Sequence, residues 1–207
     1  PNTALGCECV LRALGRPGAF GATPWSSAAA VPRFYPRAVT LAPKLDAAAL
    51  AQLADLRSGD AVKDSFASLP LEGFETLFDA TWYWRPPARG DAARIAKATD
   101  LAAWVEAWGG GPGVFAPPLL HDPSVALLRW PAEGSPRSGC AVNRGAGLVG
   151  LSNLFGEAPA ARSAAIEAAA AFAGDEALIC YEADGEAADL LAAGFQPLGP
   201  LRVLLRL

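Results

Sequence analysis

The segment GLVGLSNLFGEAPAARSAAIEAAAAFAG, residues 147–174, reads as an apolar strand, a short turn and a helix. A helix start presents backbone N–H groups that have no partner inside the helix, so this shape suits an anion such as a phosphate. The turn, however, carries Glu157, Pro159 and several alanines where glycines and a cation would serve better. Other reactive side chains stand in weaker settings. Cys7 and Cys9 form a C-x-C pair, too little for a zinc site without two further ligands, and no metal is expected. His121 precedes Asp122, which could orient an imidazole, but Asp122–Pro123 reads first as the start of a turn. Ser152 lacks the Gly-x-Ser-x-Gly surroundings of a nucleophile elbow. GGGPG, residues 109–113, follows a helix and not a strand, the wrong context for a phosphate loop.

The elements that would carry these residues follow from periodicity. In LDAAALAQLADLRSGD, Asp46 can cap a helix whose Leu50, Leu53 and Leu56 lie near one face, with Gly59 as its stop. FETLFDATWYWRP alternates strictly: Phe74, Phe78, Ala80, Trp82 and Trp84 on one face, Glu75, Asp79, Thr81 and Arg85 on the other. That aromatic face is read as core or interface packing, with a homodimer through this strand as one expectation. ARIAKATDLAAWVEAWGGG predicts a strand and then a helix capped by Thr99 or Asp100, with Leu101, Trp104, Val105 and Trp108 on its apolar face. Strands are expected at AVTLAP, VKDSFASL and VALLRWP, and in SGCAVNRGAGLVGLSNLF, split by a turn near residues 143–147. A helix over 159–173, a strand ALICYE, a helix GEAADLLAAG and a strand near LRVLLRL complete the chain. Residues 1–37, dense in Gly, Pro and Ala, read as an irregular N-terminal arm.

Composition narrows the function classes. The 207 residues carry a net charge of −4 with pI near 5.0, and the 17 cationic side chains form no run, which disfavours nucleic acid as a partner. Hydrophobic residues make up 52% and mean hydropathy is +0.23, enough for a sizeable core. No apolar run reaches the roughly 18 residues of a membrane span, and the N-terminal stretch lacks the apolar core of a signal peptide. The four cysteines read as reduced thiols, and the expected setting is cytoplasmic.

Over residues 91–207 the order of elements, with the words VGLSNLF and LLAAGFQPLG, resembles the GNAT superfamily of acyl-coenzyme A-dependent N-acetyltransferases. Gly194 suits a helix stop that needs a left-handed residue, and Phe195 can anchor the following turn in the core. The resemblance implies an α+β fold with a mixed, largely antiparallel central sheet flanked by helices. It divides the chain into the arm 1–37, an α/β region 38–90 that could be a degenerate half-domain, and the GNAT-like domain 91–207.

For the site, the resemblance implies acetyl-CoA as cofactor and a small amine as acceptor. In that family the fourth strand splays from the fifth and frees backbone groups for the pantetheine arm. Here those groups belong to Leu151, Ser152, Asn153, Leu154 and Phe155. The turn that holds the pyrophosphate maps to Ala161, Arg162 and Ser163, with Ala158 where relatives carry an Arg. Many relatives place a Tyr four residues before the Gly of Gly-Phe as acid for the departing thiolate; that position is Leu190. Tyr181 and Glu182, with Asp184, are the remaining candidates for proton transfer. The alternative is a non-catalytic protein that keeps the fold to bind a ligand or partner.

Overall fold

A computed structural model of the chain describes residues 2–88 and 97–207. The strand expected around ARIAKA lies largely outside the described residues; Lys97, at its end, forms a single antiparallel bridge to Leu128. The first departure from expectation comes at once. Residues 1–37 do not read as a wholly irregular arm, because Asn2–Ala13 form helix α1, which buries Ala4, Cys7, Val10 and Leu11. Its apolar positions are interleaved with Gly6 and two cysteines, a pattern that composition alone reads as irregular.

After α1 come β1 (Ala19–Phe20), β2 (Pro24–Ser26), β3 (Ala38–Thr40), α2 (Ala47–Ala54), β4 (Ala61–Asp64) and β5 (Phe74–Arg85). The second half holds α3 (Leu101–Trp108), a 3-10 turn (Pro117–His121), β6 (Val125–Trp130), β7 (Ser138–Gly145) and β8 (Leu148–Gly156). It closes with α4 (Pro159–Ala173), β9 (Ala177–Ala183), α5 (Ala188–Ala192) and β10 (Gln196–Arg206). The expected helix caps form: Asp46 accepts from Ala49 N–H at 2.8 Å and Asp100 from Ala103 N–H at 3.0 Å, each worth about 1 kcal/mol. Gly194 adopts φ +84°, and Phe195 N–H and Gly194 N–H close back on Leu190 and Leu191 carbonyls, the paired bonds of a Schellman stop.

Among the described residues, the strands join one ten-stranded sheet in the order β1-β2-β3-β4-β10-β5-β9-β8-β7-β6. Only β3/β4 and β8/β9 are parallel, so the sheet is mixed and largely antiparallel, as expected. Helices cover both faces. On one, Val10 of α1 and Trp104 of α3 pack with Leu127, Ala141 and Phe155. On the other, Ile166 and Ala169 of α4 pack with Leu128, Cys140, Val142 and Leu178. Alternate residues of each inner strand thus feed different cores, and β7 is apolar or small on both sides.

The sheet runs across the boundary expected at residue 90. Strand β5 inserts between β9 and β10, and Arg85 at its end pairs with Glu167 of α4 at 3.0 Å. Hydrogen-bonded on both edges, β5 has no edge left for a partner strand, and Trp82 is held inside: its Nε1–H donates to the Ser65 carbonyl at 2.8 Å. The strict alternation of β5 also fails once. An extra residue at Leu77 shifts the register between Phe78↔Val203 and Thr76↔Leu204. Phe74 therefore packs with Leu53, Val62 and Leu204 on the α2 face, while Phe78, Ala80 and Trp82 stay together on the other.

Candidate functional site

Strands β8 and β9 begin side by side and then part. Leu148, Val149 and Gly150 pair with Ala177, Leu178 and Ile179, and pairing stops there although both strands continue. The outer edge of each remains bonded, β8 to β7 and β9 to β5. What opens is the inner edge: the backbone of residues 151–156 faces that of residues 180–183 with no ladder between them. Unpaired backbone groups must find a partner or solvent. Here they face a cavity of about 590 Å³, within the size range of small-molecule and cofactor sites.

Two devices fix the parting. Gly150, the last residue of β8 paired with β9, lies against α1: a Cβ there would collide with Asn2 Oδ1 and sit 2.6 Å from Asn143 Oδ1. Asn2 in turn donates to the Gly145 and Leu148 carbonyls, and Asn143 donates to Asn2. The start of α1 is thereby clamped over the point where the strands split. The second device is a bulge. Cys140 of β7 faces two residues, Asn153 and Leu154, and Asn153 takes φ +52°, a left-handed conformation that Asn tolerates well. The bulge inverts the facing of the strand end. Leu151 belongs to the α4 core, but Phe155 meets Trp104 edge-on at 5.2 Å in the opposite core.

The cavity is walled by both halves of the chain. From the expected strand it takes Leu151, Ser152, Asn153 and Leu154; Phe155 is buried beside it in the α3 core. From β9 and α5 it takes Tyr181, Glu182 and Leu190. Leu190 is almost fully buried, so this wall is apolar where relatives were expected to carry an acid. Sequence reasoning missed the opposite wall: Asn2 and Cys7 of α1, Tyr35, Lys63 of β4, Trp82 of β5 and Phe115. The available signal was Lys63, a lone cation inside the short apolar strand of AVKDSF.

Polar groups in the cavity are strongly desolvated. Burial pushes the Cys7 thiol up to about 11 and holds the Tyr35 phenol well above its usual range, against a hydrogen bond from Asn153. The Tyr181 ring meets Trp82 edge-on at 5.5 Å, and the Lys63 ammonium stands 3.9 Å over it. Glu182, next along β9, faces α4. Burial raises its carboxyl, against the Arg162 guanidinium 3.7 Å away. Asp184 accepts from the Thr81 hydroxyl at 3.1 Å, outside the cavity lining.

The start of α4 is less open to an anion than its sequence outline implies. Pro159 has no N–H, and the N–H groups of Ala161 and Arg162 both bond the Ala158 carbonyl. Arg162 is held by Asp189 at 2.6 Å as well as by Glu182. Neither Ala161 nor Arg162 nor Ser163 lines the cavity.

Cys7, Cys9, Cys140 and Cys180 are buried free thiols. Asp122 orients Ser124 and Arg12 and not His121. Among the described residues no helix is long and apolar enough to cross a membrane.

The architecture has solved counterparts. A GNAT-family structure from Novosphingobium aromaticivorans superposes with a TM-score of 0.62 at 13% identity, covering 99% of both chains. A GCN5-related N-acetyltransferase from Kribbella flavida does so with a TM-score of 0.61 at 14% identity, over 98% of this chain and 95% of that one. The chain has the GNAT acyltransferase fold. No family model matches its sequence, and no curated sequence is significantly similar, so the GNAT fold is kept here by a divergent sequence. Both GNAT-fold counterparts cover nearly all of this chain, so the likeness extends through the first ninety residues, beyond the part that resembled the family in sequence. A protein of unknown function from Staphylococcus epidermidis shares the architecture at a TM-score of 0.54, with 7% identity over 91% of this chain and 92% of that one.

Proposed function

We propose that this protein is an acyl-CoA-dependent N-acyltransferase that moves an acetyl group to a small amine. The observation that carries the reading is the parting of β8 from β9 after Gly150 and Ile179, directly onto the large cavity. The open edge of residues 151–154 would hold the pantetheine arm by backbone hydrogen bonds, and the residues present fit that part of the cofactor. They fit the pyrophosphate less well, because Arg162 is already paired and Glu157 adds negative charge nearby. Acetyl-CoA, when bound, supplies a thioester whose carbonyl an amine can attack. The protein need then do little beyond alignment and exclusion of water, which by themselves account for a large share of the rate of such a transfer. The Tyr181 hydroxyl, in the cavity lining, is the candidate to protonate the departing thiolate. Four reduced thiols suit a cytoplasmic setting.

A second reading, a ligand-binding protein without transfer, is favoured by Leu190, buried and apolar at the position where relatives carry an acid. Calorimetric titration of acetyl-CoA tests the first reading. Micromolar binding is expected in the native protein and should be lost in Ala161→Glu. That substitution suits the helix dipole, so the fold survives while the pyrophosphate is repelled. Absence of binding at millimolar acetyl-CoA overturns the proposal; binding with no transfer to any amine favours the second reading.

A further inference from the structure

Lys63 is out of place by every ordinary rule of burial. It lies on β4, an inner strand between β3 and β10, and only 5% of its surface is exposed. Among the described residues no carboxylate lies within ion-pair distance of its ammonium, and it is the only cationic side chain that lines the cavity. Asp64, its neighbour in sequence, is taken up elsewhere: the Arg202 guanidinium lies 3.4 Å from it, and Leu69 N–H donates to it at 2.9 Å. The Tyr181 ring 3.9 Å below offers partial compensation through its negative π face, and no more than that. An ammonium buried without a counter-ion is unfavourable, and a Met of similar length would fill the space at no such cost. The side chain that fills it is charged and aimed into a cavity large enough for a ligand.

We propose that Lys63 anchors a carboxylate of the acceptor, so that the amine acylated here belongs to an amino-acid-like molecule. The inference rests on the acyl-transfer reading of the cavity. The lining suits an acceptor with a compact apolar body: Trp82, Tyr35 and Phe115 share the cavity with Lys63, Trp82 meets the same Tyr181 ring that Lys63 covers, and Tyr35 stands 6.2 Å from Phe115. The acidic members of the lining, Glu182 and Glu186, lie past Tyr181 on β9 and in the turn that follows. The chamber around Lys63 therefore offers a carboxylate a single positive partner in a desolvated setting, where a charge-assisted bond is strong.

The test compares free amino acids with aromatic, aliphatic and polar side chains, each paired with the amine it yields on decarboxylation. Each is added at millimolar concentration to the full chain and read by thermal shift and calorimetry. The expected result is that one or more amino acids bind and their decarboxylated amines bind roughly 10–100-fold more weakly. The preference should vanish in Lys63→Met and return in part in Lys63→Arg. Lys63→Met without ligand should melt at the same temperature or roughly 2–4 °C higher, whereas a lysine kept for structure would leave a less stable protein. Equal binding of amines and amino acids, no binding of either, or a preference that survives Lys63→Met would each overturn the assignment.

Acetyl-CoA titrated in parallel separates this inference from the one beneath it. Acetyl-CoA binding without a carboxylate preference overturns the role of Lys63 alone. A Lys63-dependent carboxylate preference without acetyl-CoA binding overturns acyl transfer and leaves the anchor standing.

Discussion

Two cations lie near the parting of β8 and β9, Lys63 lining the cavity and Arg162 outside it, and they are treated in opposite ways. Arg162, in the first turn of α4, is about a quarter exposed and is held by both Asp189 and Glu182. Lys63, beneath α1 on the other face of the sheet, is almost fully buried and has only an aromatic ring beside it. A cation with two carboxylate partners is satisfied by the fold and has little charge left for a ligand. A cation enclosed without one is a cost to the folded state, and such costs are concentrated where proteins bind. The difference shifts attention from the helix start, where sequence analysis looked for a charged ligand, to the chamber under α1.

The largest test asks whether α1 builds that chamber. Gly150→Val would drive a side chain into Asn2 and Asn143, where even a Cβ has no room. The expected loss is about 3 kcal/mol or more, combining overpacking with the broken clamp, measured by denaturant unfolding followed by circular dichroism. A loss below about 0.5 kcal/mol would mean that α1 rides loosely and the chamber is not preformed.

Dryness of the chamber is tested next. With the Cys7 thiol held up at about 11 against a usual 9.0, its thiolate at pH 8 is scarcer by about 100-fold than in an open chain. Alkylation of Cys7 in the native protein should be slow by a similar factor. Peptide mapping after limited iodoacetamide treatment reads this out. Rapid modification at pH 8 would show that water and reagent reach the chamber freely, and would weaken the case that Lys63 is desolvated.

Arg162→Ala supplies the contrast to Lys63→Met. It strips two half-buried carboxylates of their partner and should destabilise the fold by roughly 1 kcal/mol, given partial solvent screening. Opposite signs for the two variants in thermal melts would sharpen the comparison. The same sign would erase it.

How far the sequence disclosed this arrangement depends on what each residue's role rests on. The capped helices and the Gly194–Phe195 stop were legible because period, cap and left-handed glycine are local properties, while the parting of the strands came only with the family resemblance. The facing of Phe74 and of Phe155 was not, because each lies past a single extra residue, at Leu77 and at Asn153–Leu154, which a strict two-residue period cannot register. Helix α1 was hidden by glycine and small residues that serve close packing on the sheet. Lys63 was hidden for another reason: its significance lies in the absence of a partner, and an absence shows only once every neighbour has been brought into place. The insertion of β5 between β9 and β10 likewise depends on pairing over about a hundred residues of chain, for which no local pattern speaks.

The smallest effect concerns Glu182 and decides whether the Arg162 side of the cleft is purely structural. Burial raises this carboxyl despite Arg162, so the folded state holds its proton to a higher pH than the unfolded chain does. Stability from this group is fully present below the ordinary value of 4.5 and declines as pH rises through the raised one. Glu182→Gln cannot lose what it never titrates. The melting temperature of the variant minus that of the native protein should therefore grow as pH is taken from 4 to 8, by about 1–2 °C. A difference that shrinks over that range would mean that pairing with Arg162 outweighs desolvation. Glu182 would then be an ordinary member of the ion-pair network at the helix start, a carboxylate too weakly basic to take a proton from an incoming amine and with no claim to the chemistry of the cleft.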